Sequence, residues 1–178
     1  VVGGAGAAGV DGRTVEQTAG LLREHRDELL DRIRSGRYRP EAVKAVDIPK
    51  ANGGVRRLGI PTVLDRLIQQ AIHQKLGPLW ESEFSEHSYG FRPNRSAHDA
   101  VRAAQAHIRA GKSWVVDADL KSCFDTIPHE KLMELVERKI ADGRVLELIR
   151  SFLKAGVMDG LKHHEAGEEG TPQGAVIS

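Results

Sequence analysis

Apolar residues recur every three to four positions in five stretches of this chain, a pattern that predicts five amphipathic helices. The first begins at Thr14, where Gln17 completes a capping box, and it ends at Gly36. Gly77-Pro78 is expected to interrupt the second, because proline lacks the N–H that a helix interior needs. The other four helices are predicted to begin at Thr62, Ser96, Pro128 and Val145.

Short runs of β-branched and aliphatic residues between these helices predict strands. Residues 43–48 and 55–60 flank a glycine-containing turn at 50–54, which predicts an antiparallel hairpin. Residues 157–162 begin a second hairpin, and residues 114–116 form an apolar run that predicts a buried strand. Helices and strands in this order indicate an α+β fold.

Two carboxylates follow the strand predicted at 114–116. Asp117 and Asp119 are two positions apart, so an extended backbone places both on one face. A strand end that carries carboxylates suits Mg²⁺, which prefers oxygen ligands held at rigid positions. Aspartates also end strands without binding any metal, and the strand alone leaves these two interpretations equally favoured.

Composition and charge narrow the class of protein. The 178 residues, 40% hydrophobic and 29% charged, are typical of a folded domain with its own core. The net charge is only +1, but residues 32–66 contain nine basic and three acidic side chains. The single cysteine, Cys123, excludes an internal disulfide and a zinc site built from several cysteines. Without a membrane-spanning run or an export signal, we expect a cytoplasmic protein whose glycine-rich start is a flexible part of a longer chain.

Five sequence blocks follow one another along the chain: Gly-Val-Asp-Gly at 9–12, Arg-Arg-Leu-Gly-Ile-Pro-Thr at 56–62, Ser-Tyr-Gly-Phe-Arg-Pro-Asn-Arg at 88–95, Asp-Leu-Lys-Ser-Cys-Phe-Asp at 119–125 and Gly-Thr-Pro-Gln-Gly at 170–174. In this order they resemble the N-terminal part of a bacterial reverse transcriptase encoded by a group II intron. Arg57 stands where that family often has proline, and the family's later Tyr-Ala-Asp-Asp block does not occur in these 178 residues.

The resemblance implies the helix-rich fingers and the beginning of the palm of a right-hand polymerase, with a short antiparallel hairpin and a palm strand. Residues 1–40 would form an N-terminal extension with the first helix, 41–112 the fingers, and 113–178 part of the palm with helical fingers elements. The implied activity is that of an RNA-directed DNA polymerase that also assists intron splicing. Because the Tyr-Ala-Asp-Asp block carries further catalytic carboxylates, we expect the chain alone to be inactive.

The resemblance also implies a metal site. Asp119 corresponds to the first catalytic carboxylate, and Leu120 would offer its backbone carbonyl as a second ligand of Mg²⁺. Phe124 stands where the family carries an aromatic gate, whose ring would clash with the 2′-hydroxyl of a ribonucleotide. An ordinary core phenylalanine is the alternative interpretation of Phe124.

Three arginines are the expected nucleotide ligands. Arg56 resembles the arginine that binds the triphosphate, since a guanidinium makes planar, paired contacts with phosphate oxygens. Arg57 is its neighbour on the strand and points to the opposite face. Arg66 is the third ligand, and the adjacent Asp65 is a competing ion-pair partner for it.

Two other blocks are expected to contact the template. Arg92 and Arg95 are predicted to lie near RNA, whereas Phe91 is predicted to pack within its loop. Gln173 and Gly174 resemble a template-gripping motif, in which glycine lets the backbone approach a nucleic-acid strand. A simple turn before a helix is the alternative for Gln173 and Gly174.

The implied partners are an RNA template, intron RNA, a DNA primer and deoxynucleoside triphosphates, with no membrane, and a homodimer is left open. Three other functions compete with this interpretation. The region could hold intron RNA as a maturase platform without polymerising, belong to a retron or CRISPR-associated reverse transcriptase, or be a structural dimerisation module. The cation-rich hairpin argues against the last.

Overall fold

The computed structural model describes residues 6–49 and 53–171 and shows the α+β fold that the sequence predicts. A short 3₁₀ turn spans Cys123–Asp125. In chain order the elements are α1 (Val15–Arg34), β1 (Val43–Pro49), β2 (Val55–Ile60), α2 (Val63–Glu81), α3 (Ala97–Arg109), α4 (His129–Glu137), α5 (Gly143–Leu153), β3 (Val157–Asp159) and β4 (Lys162–His164). Among residues 6–49 and 53–171, no helix has both the length and the apolar composition of a membrane span.

The chain divides into two compact units, residues 1–73 with 122–178 and residues 74–121, so the boundary at 73/74 falls within α2. This division reflects which residues pack together and does not test which segments belong to the fingers or to the palm. The predicted functional segments 1–40, 41–112 and 113–178 therefore stay a prediction.

Side-chain caps set the beginnings of the helices. The Thr14 hydroxyl accepts a hydrogen bond from the Gln17 backbone N–H, and the Gln17 side chain accepts one from the Thr14 N–H. Ser96 and Asp99 form the same reciprocal pair before α3. Each box satisfies N–H groups that the first helical turn cannot pair internally, which confirms both predicted helix starts.

The predicted interruption of α2 at Gly77-Pro78 is wrong, because the helix continues through Pro78 to Glu81. The fixed φ of proline lies in the helical range, so its cost is one lost hydrogen bond together with steric strain against the preceding turn. Arg92 supports the far end, where a guanidinium N–H donates to the Glu81 carbonyl at 3.3 Å. That contact pairs one of the carbonyls that a helix end leaves open.

The sheet has the strand order β2-β1-β3-β4. β1 and β2 form the predicted antiparallel hairpin, in which Arg57 lies opposite Asp47 and Arg56 opposite Ile48. β3 and β4 form the second predicted hairpin. The sequence did not predict the parallel pairing of β1 with β3, which joins the two hairpins into one sheet through Val43 and Lys44.

The palm strand predicted at 114–116 does not form. Residues 112–120 have no regular structure, and Trp114 is 94% exposed. A strand needs a neighbour to pair its backbone groups, and no strand of the described residues pairs with this segment. Asp117 and Asp119 are exposed on an irregular segment, so the argument from a shared strand face does not apply to them here.

One core cluster of the first unit centres on Tyr38, Ile68 and Phe152, whose side chains are buried together. The rings of Tyr38 and Phe152 are tilted by 44°, with their centroids 6.5 Å apart. Each buried side chain of this size contributes roughly 1.5–3 kcal/mol. Partly buried side chains of α1, α2 and α5 surround the three: Leu29, Ile33, Leu64, Ile72 and Leu148.

A buried carboxylate lies beside this core. Asp65, 1% exposed, accepts hydrogen bonds from the Tyr38 hydroxyl at 2.8 Å, from the Thr62 hydroxyl at 2.7 Å and from the Glu41 backbone N–H at 3.2 Å. Its own N–H donates to the Thr62 hydroxyl, which confirms Thr62 as the cap of α2. The Asp65 side chain thus connects Tyr38 in the loop after α1, Glu41 just before β1, and Thr62 at the start of α2. Burial raises the pKa of Asp65, and the three hydrogen bonds partly offset that effect.

Arg92 is the corresponding anchor of the second unit. Its guanidinium pairs with the Glu81 carboxylate at 2.8 Å and donates to the carbonyls of Ser85 and Ser88 at 2.6 and 3.0 Å. It also lies 5.4 Å from the centre of the Phe84 ring. The side chain is only 9% exposed, so the loop between α2 and α3 is folded around it.

Replacing Asp65 with asparagine is expected to lower the free energy of unfolding by about 1–3 kcal/mol, because an amide cannot accept all three hydrogen bonds. Urea denaturation followed by circular dichroism measures this change. Asp27→Asn on the exposed surface of α1 is the matched control and should have little effect. A loss no larger than that of the control would show that Asp65 does not hold these segments together.

The same variant tests the ionisation of Asp65. Since its pKa is raised, the folded protein holds the proton more tightly than the unfolded chain does. The stabilisation from this group is complete below the ordinary pKa of aspartate and is lost as pH rises through the raised value. We expect the difference in stability between wild type and Asp65→Asn to shrink across that pH window, and a constant difference would contradict the assignment.

Arg92→Ala is expected to destabilise the second unit by about 2 kcal/mol or more, because it leaves a partly buried carboxylate and three carbonyls without their donor. Amide hydrogen exchange of residues 81–92 measures the loss. Arg102→Ala removes an exposed pair with Asp99 on α3 and should change exchange there by less than about 0.5 kcal/mol. Equal effects of the two variants would contradict the anchoring role of Arg92.

Candidate nucleotide and nucleic-acid site

The two neighbouring arginines of β2 have different surroundings. Arg57 makes a paired contact with Asp47 on β1, at 2.9 and 3.0 Å, and reaches Asp159 on β3 at 3.1 Å. Hydrogen bonding to Arg57 lowers the pKa of Asp47. Arg56 is also exposed, but the alternation of the strand directs it to the other face. The guanidinium of Arg57 is therefore used within the sheet, and the nucleotide contacts predicted for Arg56 and Arg57 stay predictions.

Arg66 lies on α2 and is half-buried. It donates to the carbonyls of Ala7 and Pro61 at 2.9 and 3.1 Å, rather than pairing with the adjacent Asp65. A side chain on Gly9 would come within 2.6 Å of the Thr62 Cα, so the chain around Gly9 packs closely on the start of α2. The first two sequence blocks are thus in direct contact, and the nucleotide contact of Arg66 stays a prediction.

The loop at 88–95 presents its aromatic and cationic groups differently from the prediction. Phe91, predicted to pack, is fully exposed and has a left-handed backbone with φ of 56°. Arg92, predicted to lie near RNA, is the buried anchor described above. Arg95 donates to the Glu86 carbonyl at 2.7 Å and lies 5.5 Å from the centre of the Tyr89 ring. The packing interpretation of Phe91 is wrong because Arg92, not the ring, fills the interior of this loop.

Asp119 and Leu120 lie on the irregular exposed segment of the second unit. A carboxylate and a backbone carbonyl are hard oxygen donors of the kind that Mg²⁺ binds, so this pair fits part of an octahedral set. Within residues 6–49 and 53–171, no three histidine, cysteine or acidic side chains lie close enough to hold a metal ion. The metal role of Asp119 and Leu120 is therefore carried forward as a proposal.

Phe124 lies in the 3₁₀ turn that follows a left-handed backbone at Ser122, with φ of 52°. Its side chain is 41% exposed, so it is not a buried core residue. Its carbonyl accepts a hydrogen bond from the Thr171 N–H at 2.7 Å. Gln173 and Gly174 lie outside the described residues, and their template contact stays a prediction.

Sequence reasoning underestimated two residues, Asp65 and His129. Asp65 was considered only as a partner for Arg66, although its spacing of three from Thr62 is the signal of a helix cap. His129 follows the block at 119–125, and its position in the sequence predicts only a structural role. It is 4% exposed and contacts the Gly170 carbonyl, 41 positions away, which no local pattern indicates.

Comparison with known proteins supports the family resemblance of the five sequence blocks. Residues 48–178 match the family described as reverse transcriptase (RNA-dependent DNA polymerase). Protein YkfC of Escherichia coli is 43% identical over 98% of this chain, and the group II intron-encoded protein LtrA of Lactococcus lactis is 38% identical over 89%. The chain spans 47% of the length of YkfC and 26% of that of LtrA.

A solved structure shares the fold. A partial Cas6-RT-Cas1–Cas2 complex superimposes with a TM-score of 0.58 at 22% identity, covering 92% of this chain and 27% of that one. The family match and the identity to LtrA confirm the resemblance to reverse transcriptases of group II introns. This chain belongs to the reverse transcriptase family.

Proposed function

We propose that the protein containing this chain is an RNA-directed DNA polymerase of a group II intron that also assists splicing of that intron. The observation that carries the proposal is the family match over residues 48–178, supported by the identity to the intron-encoded LtrA over 89% of the chain. The partners are an RNA template, the intron RNA, a DNA primer and deoxynucleoside triphosphates, and we place the protein in the cytoplasm. We expect the 178 residues alone to be inactive.

Members of this family use a divalent metal, and we propose that Asp119 and the Leu120 carbonyl hold Mg²⁺ here. When bound, the metal ions stabilise the attacking and leaving oxygens as the primer 3′-oxygen displaces pyrophosphate from the nucleotide. Asp119 is exposed and can reach a solvated ion without breaking any packing. The remaining ligands would be waters, phosphate oxygens and other carboxylates.

Phe124 and Arg56 are proposed to bind the incoming nucleotide. The ring of Phe124, in part exposed, would lie under the sugar and exclude a 2′-hydroxyl. Arg56 is on the sheet face opposite to the Arg57–Asp47–Asp159 cluster, so it can be directed to the triphosphate while Arg57 stabilises the strands. Arg66 would contribute to nucleotide binding by fixing the segment at Ala7, whose carbonyl accepts its hydrogen bond.

The loop at 88–95 is proposed as the template contact. Arg92 fixes the loop from inside, which leaves Phe91 projecting and Arg95 beside the Tyr89 ring at the surface. An exposed ring next to cations suits unpaired bases and the phosphates between them. Gln173 and Gly174 are also proposed to contact the template, on the strength of the family resemblance of their block.

Asp119→Asn in the full-length protein is expected to reduce primer extension on an RNA template at least a thousandfold, roughly the scale of losing an essential catalytic group. RNA binding, measured by filter retention, should be unchanged. Asp117→Asn, two residues away and equally exposed, is the matched control and should retain activity.

Two results would contradict this proposal. If Asp119→Asn extends primers as well as wild type, Asp119 is not a metal ligand. If the wild-type full-length protein binds intron RNA but never extends a primer under any divalent metal tested, the maturase platform is its function instead.

Phe91→Ala is expected to weaken binding of single-stranded RNA by about 1–3 kcal/mol, the value of one stacked base, without lowering thermal stability. Fluorescence anisotropy with a labelled oligonucleotide measures the affinity of the full-length protein. Leu161→Ala, an equally exposed apolar side chain between β3 and β4, is the control and should bind normally. Unchanged affinity together with lower stability would mean that Phe91 packs against protein.

A further inference from the structure

The segment at 168–171 folds back along the chain at 124–129, entirely within the first unit. The backbone N–H of His129 donates to the Glu168 carbonyl at 2.9 Å, and that of Gly170 to the Ile127 carbonyl at 2.8 Å. Thr171 then donates to the Phe124 carbonyl at 2.7 Å. We call residues 168–171 the return segment. It joins the chain at the block 119–125 to the start of the block 170–174 by backbone hydrogen bonds.

His129 adds a side-chain bond to this arrangement. Its Nε2 lies 2.6 Å from the Gly170 carbonyl oxygen. Because a carbonyl only accepts, Nε2 carries the proton and donates it in this bond. The Nδ1 atom is buried and has no hydrogen-bond partner among the described residues. The ring is therefore held by one specific bond, to the return segment, in addition to its packing.

The contact at Gly170 is unusually close. Gly170 has a left-handed backbone with φ of 88°, and a Cβ added there would lie 2.8 Å from the Asp125 carbonyl oxygen. No side chain separates the two backbones at this point. A shift of the return segment must therefore move the turn at Cys123–Asp125 directly.

We propose that His129 is a positioning residue for sugar selection. The inference rests on the proposed function, in which Phe124 lies under the sugar of the incoming nucleotide. The Nε2–H of His129 fixes the Gly170 carbonyl, the next residue fixes the Phe124 carbonyl, and the Phe124 backbone sets the height of its ring. Loss of the Nε2–H lets that ring move away from the 2′ position. The gate acts by steric exclusion, so a displaced ring mainly lets ribonucleotides enter the site. The binding of deoxynucleotides, which the ring does not exclude, is reduced less.

Two amide variants of the full-length protein separate this role from general stability. The amide nitrogen of glutamine can occupy the place of Nε2 and donate to the Gly170 carbonyl, whereas that of asparagine is too short to reach it. The measurement is kcat/KM for dCTP divided by kcat/KM for CTP in primer extension. This ratio is independent of the fraction of protein that is folded, because both substrates use the same active molecules.

We expect His129→Asn to lower the discrimination ratio at least about tenfold and His129→Gln to stay close to wild type, since displacements near 1 Å are enough to change rates a hundredfold. Most of the change should appear as a lower KM for CTP. Met133→Ala, which removes a buried side chain one turn further along α4, is the control for lost stability and should keep the wild-type ratio.

Phe124→Ala separates the two proposals. If it lowers the ratio but His129→Asn does not, the positioning role is overturned while the gate stands. If Phe124→Ala leaves the ratio unchanged, the gate fails and the role of His129 fails with it, while the polymerase activity stands. If the wild-type protein does not extend primers, the proposed function itself fails. A ratio that falls equally in Met133→Ala and His129→Asn would also overturn the inference.

Discussion

A single buried carboxylate determines how the first unit is assembled. Asp65 receives hydrogen bonds from Tyr38, Glu41 and Thr62, which come from three separate parts of the chain. Glu41 lies just before β1, and Thr62 just after β2. Both ends of the hairpin that carries Arg56 are therefore fixed at the same side chain. Because a buried carboxylate is costly unless its oxygens are paired, the three donors stabilise Asp65 where these segments meet.

The arginines of this chain divide into those that organise the protein and those that can act on a ligand. Arg57, Arg66 and Arg92 direct their donors to carboxylates or carbonyls of the protein itself. The planar guanidinium suits this use, because it can satisfy several acceptors in fixed directions. In consequence, a basic segment of sequence overstates the charge that is available to a nucleic acid.

Local patterns predicted most of the fold. The caps at Thr14 and Ser96 and the hairpin of β1 and β2 depend on neighbours within a few residues, and all were predictable. The strand at 114–116 was not, because apolar composition indicates a preference and a strand also needs a partner. The pairing of β1 with β3 and the contact of His129 with Gly170 connect distant positions, which periodicity cannot reveal.

The candidate site was predictable in its residue types but not in their orientation. The block at 88–95 contains aromatic and basic residues in a loop, and either kind could have been buried. The structure buries Arg92 because Glu81 and several carbonyls lie within reach of it, and Phe91 is left outside. Composition alone cannot predict which of Phe91 and Arg92 is buried, because the burial of Arg92 depends on acceptors outside the block, such as Glu81 of α2.

The approach of Gly170 to Asp125 limits how this protein can be re-engineered. Where two main chains touch without side chains between them, their spacing cannot be adjusted by choosing a larger or smaller residue. Libraries aimed at altered nucleotide use would gain little from randomising this contact. Substitutions of the side chains that flank this contact can change the position of the turn in small steps, while Gly170 keeps the spacing of the two backbones constant.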